Sequence, residues 1–125
     1  FRSQLHEMLK ELAGRVPGFI ATAVVEIESK SDVASHSVDP DFDTSKVNRA
    51  YTDFVQSNRN ALDLLGADPL ETTDILVSTN GMYLIARELD AEYYMSLAIS
   101  QDANLALARQ TMASFEPKLL DALSG

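Results

Sequence analysis

The sequence of 125 residues contains no cysteine. This absence excludes disulfide bonds, thiolate nucleophiles and cysteine-based metal sites, and it is compatible with a reducing cytoplasm. No apolar run approaches the roughly 20 residues that a membrane-spanning helix needs, and no basic segment leads into an apolar core as in a signal peptide. We therefore expect a cytoplasmic protein that is not inserted into a membrane.

Positive charge is scarce: ten Lys and Arg residues stand against 19 Asp and Glu residues, which gives a net charge of −9. Nucleic acids and anionic membrane surfaces repel a domain of this charge. We therefore expect no nucleic-acid partner, and another protein is the binder that the composition favours.

Motifs for catalysis and for cofactor binding are missing as well. The five glycines are scattered, and none lies in a G-x-G-x-x-G or G-x-x-x-x-G-K-[ST] phosphate loop. The two histidines, His6 and His36, have no cysteine or histidine at metal-ligand spacing, and no serine lies in a G-x-S-x-G turn. We expect surface histidines, no catalytic residue, no cofactor, no metal and no enzymatic activity.

An acidic loop carries the one pattern that suggests a metal. Asp39, Asp41 and Asp43 have the spacing that opens a calcium-binding EF-hand loop. That loop needs glycine at its sixth position and glutamate at its twelfth, where this chain has Thr44 and Ala50. The pattern indicates a solvated loop in which Thr44 or Asp43 caps the next helix.

The first part of the chain predicts a helix and two strands. Apolar residues at helical spacing predict a first helix that ends at Gly14 as its C′ residue. After Pro17 and Gly18, the segment from Phe19 to Ile27 is apolar on both faces at its start, which is typical of a strand inside a sheet. A short strand from Val33 to Val38 follows.

The middle helix has the most regular pattern in the sequence. Its apolar side chains fall on an arc of about 140°, at about 100° per residue, and Gly66 ends the helix. Asn58 lies within about 20° of the centre of this stripe. Either Asn58 is satisfied inside its own monomer or by water, or a second helix faces it. The stripe consists of Val47, Ala50, Tyr51, Phe54, Val55, Ala61, Leu62 and Leu65.

Three strands and a helix complete the chain. The segment from Leu70 to Thr79 and the strand after it flank Asn80-Gly81, a strong hairpin signal because both residues can adopt positive φ. Alternating apolar residues from Tyr93 predict the last strand, and Asp102 is the expected N-cap of the closing helix. Pro117 predicts a kink or a break in that helix, and Leu107 is a candidate for exposure.

The element order is therefore α-β-β-α-β-β-β-α, in one α+β domain spanning residues 1–125. Runs of strands without βαβ alternation favour an antiparallel sheet with helices on its faces. This order, the opening V-P-G-F-I-A-T-A-V-V and the later D-A-N-L-A-L-A-R resemble the bacterial members of the roadblock/dynein light-chain family. In that family the last helix starts with an Asn-Leu-small-Leu motif, which Asn104–Leu107 matches. Two features depart from the family pattern: the first hairpin turn lacks glycine, and Pro117 is foreign to the closing helix.

The resemblance implies a five-stranded antiparallel sheet, with the middle helix on one face and the two terminal helices on the other. It also implies a homodimer in which edge strands join and the two middle helices meet. An apolar strand such as the one ending at Thr79 is an aggregation hazard if its edge stays bare, which agrees with this expectation. The implied dimer interface consists of Tyr51, Phe54, Asn58, Leu62, Ile75, Leu76 and Val77.

Bacterial members of the family regulate or bind small Ras-like GTPases, and some activate GTP hydrolysis without supplying an arginine. The resemblance thus implies a non-enzymatic dimeric platform for such a GTPase. The alternatives are a light-chain-like adaptor without effect on nucleotide turnover and, third, a small-ligand sensor, which would need inward polar residues that the sequence does not suggest. For the GTPase contact we expect the outward face of the middle helix, with Arg49, Asp53, Gln56 and Arg59.

Overall fold

A computed structural model describes residues 2–68 and 74–124. The elements follow the predicted order α-β-β-α-β-β-β-α. They are α1 Arg2–Gly14, β1 Phe19–Glu26, β2 Ser31–Ser37, α2 Thr44–Leu64, β3 Ile75–Ser78, β4 Met82–Glu88, β5 Tyr93–Ser100 and α3 Leu105–Ser124. The predicted strand from Leu70 to Thr79 is observed only as β3, and its residues 70–73 lie outside the described part of the chain.

The five strands form one antiparallel sheet in the order β2-β1-β5-β4-β3. β5 is the central strand, and both of its faces are covered, with Tyr94 and Met95 fully buried on opposite sides. β1 pairs with both β2 and β5, which confirms the interior position predicted from its two apolar faces. β2 and β3 are left as the edges of the sheet.

A separate hydrophobic core lies on each face of the sheet. On one face, Leu5, Leu9 and Leu12 of α1 are fully buried with Met112 and Phe115 of α3. Burying one such leucine stabilises the fold by about 1.5–3 kcal/mol, so the leucine face of α1 holds that helix on the sheet.

On the other face, α2 contributes Val55 to a smaller core. The remaining buried members of this core are Ala23 and Val25 of β1, Ile27 directly after β1, Ala86 of β4 and Tyr94 of β5. The predicted layer order, with the middle helix on one face and the terminal helices on the other, is confirmed.

The residues at both ends of α2 explain where the helix begins and ends. Asp43 is the N-cap, since its carboxylate accepts a hydrogen bond from the Lys46 N–H. At the other end Gly66 has a φ of 74°. The Gly66 N–H donates to the Asp63 carbonyl, and the Ala67 N–H donates to the Leu62 carbonyl. This Schellman arrangement needs a left-handed residue, and it confirms that Gly66 ends the helix.

The expected ends of the terminal helices are wrong in detail. Asn104, not Asp102, caps α3, because its side-chain oxygen accepts from the Leu107 N–H at 3.0 Å. Asp102 instead lies in the preceding turn, where its own N–H donates to Ser100 Oγ. Gly14 is the last residue of α1 itself and has no positive φ, so it is not a C′ residue.

Pro117 lies inside α3, so of the expected kink or break the break does not occur. Phe115 and Leu119, which flank the proline, are both fully buried. Packing on both sides of the proline therefore outweighs the hydrogen bond that it cannot donate.

The β3–β4 hairpin forms where Asn80-Gly81 predicted it, but by a different turn. Neither residue has a positive φ, so the expected left-handed turn is wrong. The Thr79 hydroxyl oxygen instead accepts from the N–H groups of Gly81 and Met82, at 3.3 and 3.0 Å. The first hairpin does need a left-handed residue, and Lys30, with a φ of 58°, occupies that position without a glycine.

Within the described residues, no helix is long and apolar enough to cross a membrane.

Candidate interaction surface

Most of the apolar stripe of α2 does not face the sheet, and Val55, at the edge of the stripe, is its one buried member. The buried residues of this helix are Asn48, Thr52 and Val55. At about 100° per residue, their mean direction is roughly 100° away from the centre of the stripe near Phe54. Phe54 is 55% exposed and Leu65 is 80% exposed. The side of α2 with the largest apolar groups is therefore left to solvent.

The exposed flank of α2 lies next to a part of the sheet that the helix does not cover. α2 packs mainly over β2 and β1, with a smaller contact to β4. Tyr51 lines a cavity of about 20 Å³ together with Leu84 of β4, and its ring lies 5.4 Å from that of Phe54. Leu84 pairs with Val77 of β3, and both residues are only half-buried. Apolar surface thus continues from the helix onto the sheet.

β3 also has an edge at which backbone groups are available to another strand. Across residues 2–68 and 74–124, the only strand that pairs with β3 is β4. Its outer edge carries unpaired N–H and C=O groups, which can add another strand. Ile75 joins the core on the α2 side, and the alternation of a strand places Val77 on that side too. Leu76 pairs with Ile85 of the opposite core and therefore points to the α1–α3 side.

We call the exposed flank of α2 and the edge of β3 the α2–β3 surface. It contains the residues that the family resemblance assigned to a dimer interface, except that Leu76 lies on the other face of the sheet. Asn58 and Leu62 are half-buried on the same flank of α2. The members of the surface are Tyr51, Phe54, Asn58, Leu62, Ile75 and Val77.

A polar network holds α2 on the sheet in place of its apolar stripe. The Asn48 amide nitrogen donates to Asp32 Oδ1 at 3.1 Å, and the Asn48 side-chain oxygen accepts from Ser96 Oγ at 3.0 Å. The hydroxyls of Thr52 and Tyr94 both donate to the Asn48 carbonyl. Burial raises the pKa of Tyr94 to about 12, so this hydroxyl remains a donor at neutral pH.

This network contradicts the expectation that no inward polar cluster exists. Sequence reasoning missed it because the stripe drew attention to the opposite side of the helix. The signal was present in Asn48 and Thr52, which are four residues apart and share a face. Since these groups satisfy one another, they hold the helix on the sheet.

The four residues expected to contact a GTPase do not share one surface. Arg49 and Asp53 are exposed, and Asp53 forms an ion pair with Lys30 at 2.6 Å. Gln56 is half-buried. Arg59 faces the sheet, where its guanidinium binds Glu88 of β4 and the carbonyl of Asp90, so its expected outward position is wrong. The cause is the position of Arg59 on the same face as Asn48 and Thr52.

Two open spaces adjoin α2. The cavity beside Tyr51 is almost entirely apolar, and its volume of about 20 Å³ admits one water molecule. A polar cleft of about 320 Å³ lies at one end of the sheet and is lined by Glu26, Ile27, Glu28, Gln56, Arg59, Ala91 and Glu92. In the part of the chain that the structure describes, no three His, Cys, Asp or Glu side chains are grouped to hold a metal ion.

The two histidines lie together, which their separation in sequence did not suggest. Their rings are 5.9 Å apart, and the His36 ring stacks on Phe19 at 5.8 Å. His6 is exposed on α1, as expected, whereas His36 of β2 is half-buried. Burial lowers the pKa of His36, and the charges of His6 and Lys10 lower it further.

Comparison with known proteins identifies the fold but finds no relative by sequence. No family model matches the chain, and no curated protein matches its sequence. The solved structure of a Roadblock/LC7 domain from Streptomyces avermitilis matches with a TM-score of 0.86 at 16% identity, over 98% of this chain and 99% of that one.

MglB of Myxococcus xanthus matches with a TM-score of 0.87 at 11% identity, over 98% of this chain and 89% of that one. An MglB structure with a tetrameric arrangement matches with a TM-score of 0.83 at 13% identity, over 94% of this chain and 86% of that one. At such identities the likeness concerns the fold, and it extends over nearly the whole chain. The protein therefore has the fold of the Roadblock/LC7 domains and of MglB.

Proposed function

We propose that this protein is a non-enzymatic, homodimeric platform that binds a small Ras-like GTPase and regulates its nucleotide state. The observation that carries the proposal is the α2–β3 surface, where an outward apolar helix flank adjoins an open strand edge. A second copy of the chain covers both features at once, since a two-fold axis brings each surface onto its equivalent.

Physical chemistry favours a copy of the same surface as the occupant. Two β3 edges complete each other's backbone hydrogen bonds and extend the sheet across both copies. Tyr51 and Phe54 are large aromatic groups of the kind that dominate binding energy at interfaces. Asn58 then meets a facing helix, where a polar side chain among apolar ones fixes register. One MglB structure has a tetrameric arrangement, which agrees with self-association of this fold.

The proposal of a GTPase as partner rests on the shared fold and on charge. The fold is that of MglB, and the net charge of −9 favours a protein partner over a polyanion. We retain Arg49, Asp53 and Gln56 as proposed contacts, since they lie on the side of α2 away from the stripe. Arg59 is proposed to act indirectly, through its contact with Glu88 on the sheet.

Self-association is tested first. We expect wild-type protein to be a dimer by light scattering at tens of micromolar, and Phe54→Ser to raise the dimer dissociation constant by roughly tenfold or more. Leu107→Ser is a matched control, because Leu107 is an exposed leucine, at 37%, on α3. It should leave the dissociation constant unchanged. A wild-type monomer at that concentration would contradict the dimer.

Binding and regulation of a GTPase are tested with the small Ras-like GTPase encoded nearest to this protein. We expect this protein to pull it down more strongly with a GTP analogue than with GDP, and to change its rate of GTP hydrolysis. Binding with an unchanged rate would instead support the adaptor. The sensor remains the third candidate: the cavity of about 20 Å³ beside Tyr51 is too small for a metabolite, whereas the polar cleft of about 320 Å³ has the volume of a small-ligand site.

A further inference from the structure

Two arginine–carboxylate ion pairs connect strands of the sheet to α3. Arg109 binds Asp74 with two parallel hydrogen bonds, Nε to Oδ2 at 2.9 Å and a terminal nitrogen to Oδ1 at 3.0 Å. Arg87 of β4 binds Glu116 of α3 at 2.7 Å. The first pair reaches the start of the edge strand, and the second holds an interior strand.

Among the contacts of residues 2–68 and 74–124, the Asp74–Arg109 pair lies where β3 has few other constraints. β3 is four residues long, it pairs on one side only, and α2 makes little contact with it. Asp74 directly precedes β3, and its side chain is only 6% exposed. A bidentate arginine fixes both the position and the plane of the carboxylate, so this contact restrains the end of the strand.

We propose that Arg109 is a positioning residue for self-association: through Asp74 it holds the edge of β3 in the place and direction that a second copy needs. This inference rests on the proposed dimer. Strand addition requires several N–H and C=O groups to align together, and a mobile four-residue edge must be ordered at the moment of binding. Arg109 removes the entropic cost of ordering this edge on binding, although it lies on α3, outside the α2–β3 surface.

Arg87–Glu116 provides a matched control within the same chain. Both pairs join an arginine to a carboxylate between the sheet and α3, and both are partly shielded from solvent. β4, however, is already held by strands on both sides. Breaking this pair should affect the stability of the fold without changing the geometry of the edge.

The test compares Arg109→Met, Arg109→Lys and Arg87→Met. We expect Arg109→Met to raise the dimer dissociation constant roughly tenfold, and Arg87→Met to change it less than twofold. Arg109→Lys should rescue little of the loss, because an ammonium group cannot form the two parallel bonds. Hydrogen exchange at Ile75–Ser78 should become faster in both Arg109 variants and stay unchanged in Arg87→Met.

Each possible outcome decides between the proposals. A dimer of unchanged affinity in Arg109→Met overturns the inference and leaves the proposed function intact. Equal weakening by Arg109→Met and Arg87→Met also overturns it, since general stability would then be the cause. A monomeric wild type overturns the dimer and this inference together. If Arg109→Met does not fold, affinity and hydrogen exchange of Arg109→Lys give the answer.

Discussion

His36 shows how a single residue acquires its properties from a partner distant in sequence. It lies 30 residues after His6, and the two meet only because α1 packs across β2. From composition and spacing, neither histidine belongs to a recognisable motif. They do not give the helix-to-strand packing that brings the rings together, so the shifted pKa of His36 was beyond sequence reasoning.

The lowered pKa of His36 makes stability depend on pH. Because the folded state holds the His36 proton less tightly than the unfolded state does, the unfolded state binds more protons as the pH falls. The contribution of His36 to the free energy of unfolding is present above its unfolded pKa of about 6.5 and is lost as the pH falls below that value. We expect the urea midpoint to fall from pH 7.5 to 5.5, and His36→Gln to reduce that fall.

His6→Gln separates the causes of this effect. It removes the charge of His6 while leaving His36 buried against Phe19, so it should reduce the pH dependence less than His36→Gln does. An identical pH dependence in wild type and in His36→Gln would show that other groups are responsible.

At the scale of an element, the β3–β4 hairpin separates what the sequence predicts from what it does not. Asn-Gly between two apolar segments located the hairpin correctly. The turn type was wrong, because the Thr79 hydroxyl offers the backbone an alternative acceptor within two and three residues. Local side-chain hydrogen bonds of this kind compete with the backbone geometry that a dipeptide rule assumes.

This turn predicts an unusual order of mutational effects. Thr79→Val keeps the shape of the side chain but removes the acceptor for two N–H groups, and we expect a loss of about 1 kcal/mol in the free energy of unfolding. Asn80→Ala should cost less than about 0.5 kcal/mol, since Asn80 has no positive φ. Urea unfolding measures both. A larger loss in Asn80→Ala than in Thr79→Val would indicate a left-handed turn after all.

α2 illustrates a second limit of sequence reasoning. Helical periodicity located its apolar stripe, but periodicity does not show which surface covers a stripe. In this helix Asn48 and Thr52 face the sheet and Phe54 faces solvent. The spacing of Asn48 and Thr52 was a sequence signal for the inward face, but their partners Asp32, Tyr94 and Ser96 could be identified only once they were located in space.

For the whole molecule, the pattern of elements was sufficient to predict the element order and an antiparallel sheet with helices on its faces, because both follow from long periodic segments. The layer arrangement, with α2 on one face and α1 and α3 on the other, was predicted from the family resemblance. The leucines of α1 are such a periodic segment and are buried as their pattern requires, whereas β5 is buried on both faces and not only on the alternating one. Features that depend on one side chain meeting another, such as the position of Arg59, could not be derived in this way.

If two copies form one folding unit, stability depends on protein concentration. Mass action favours the folded dimer as the concentration rises. For chains of this size we expect the thermal midpoint to rise by roughly 3 °C for each tenfold increase in concentration. Phe54→Ser should lower the midpoint at every concentration, while Leu107→Ser should leave it unchanged. A wild-type midpoint that is independent of concentration would contradict coupled folding and association.

The arrangement of the terminal helices has a practical consequence. α1 begins at Arg2 and α3 ends at Ser124, and both helices lie on the face of the sheet opposite α2. A fluorophore, an affinity tag or a surface tether attached at either end therefore starts from the back of the molecule. Such attachments leave α2 accessible, so immobilised protein presents that helix to a partner in solution.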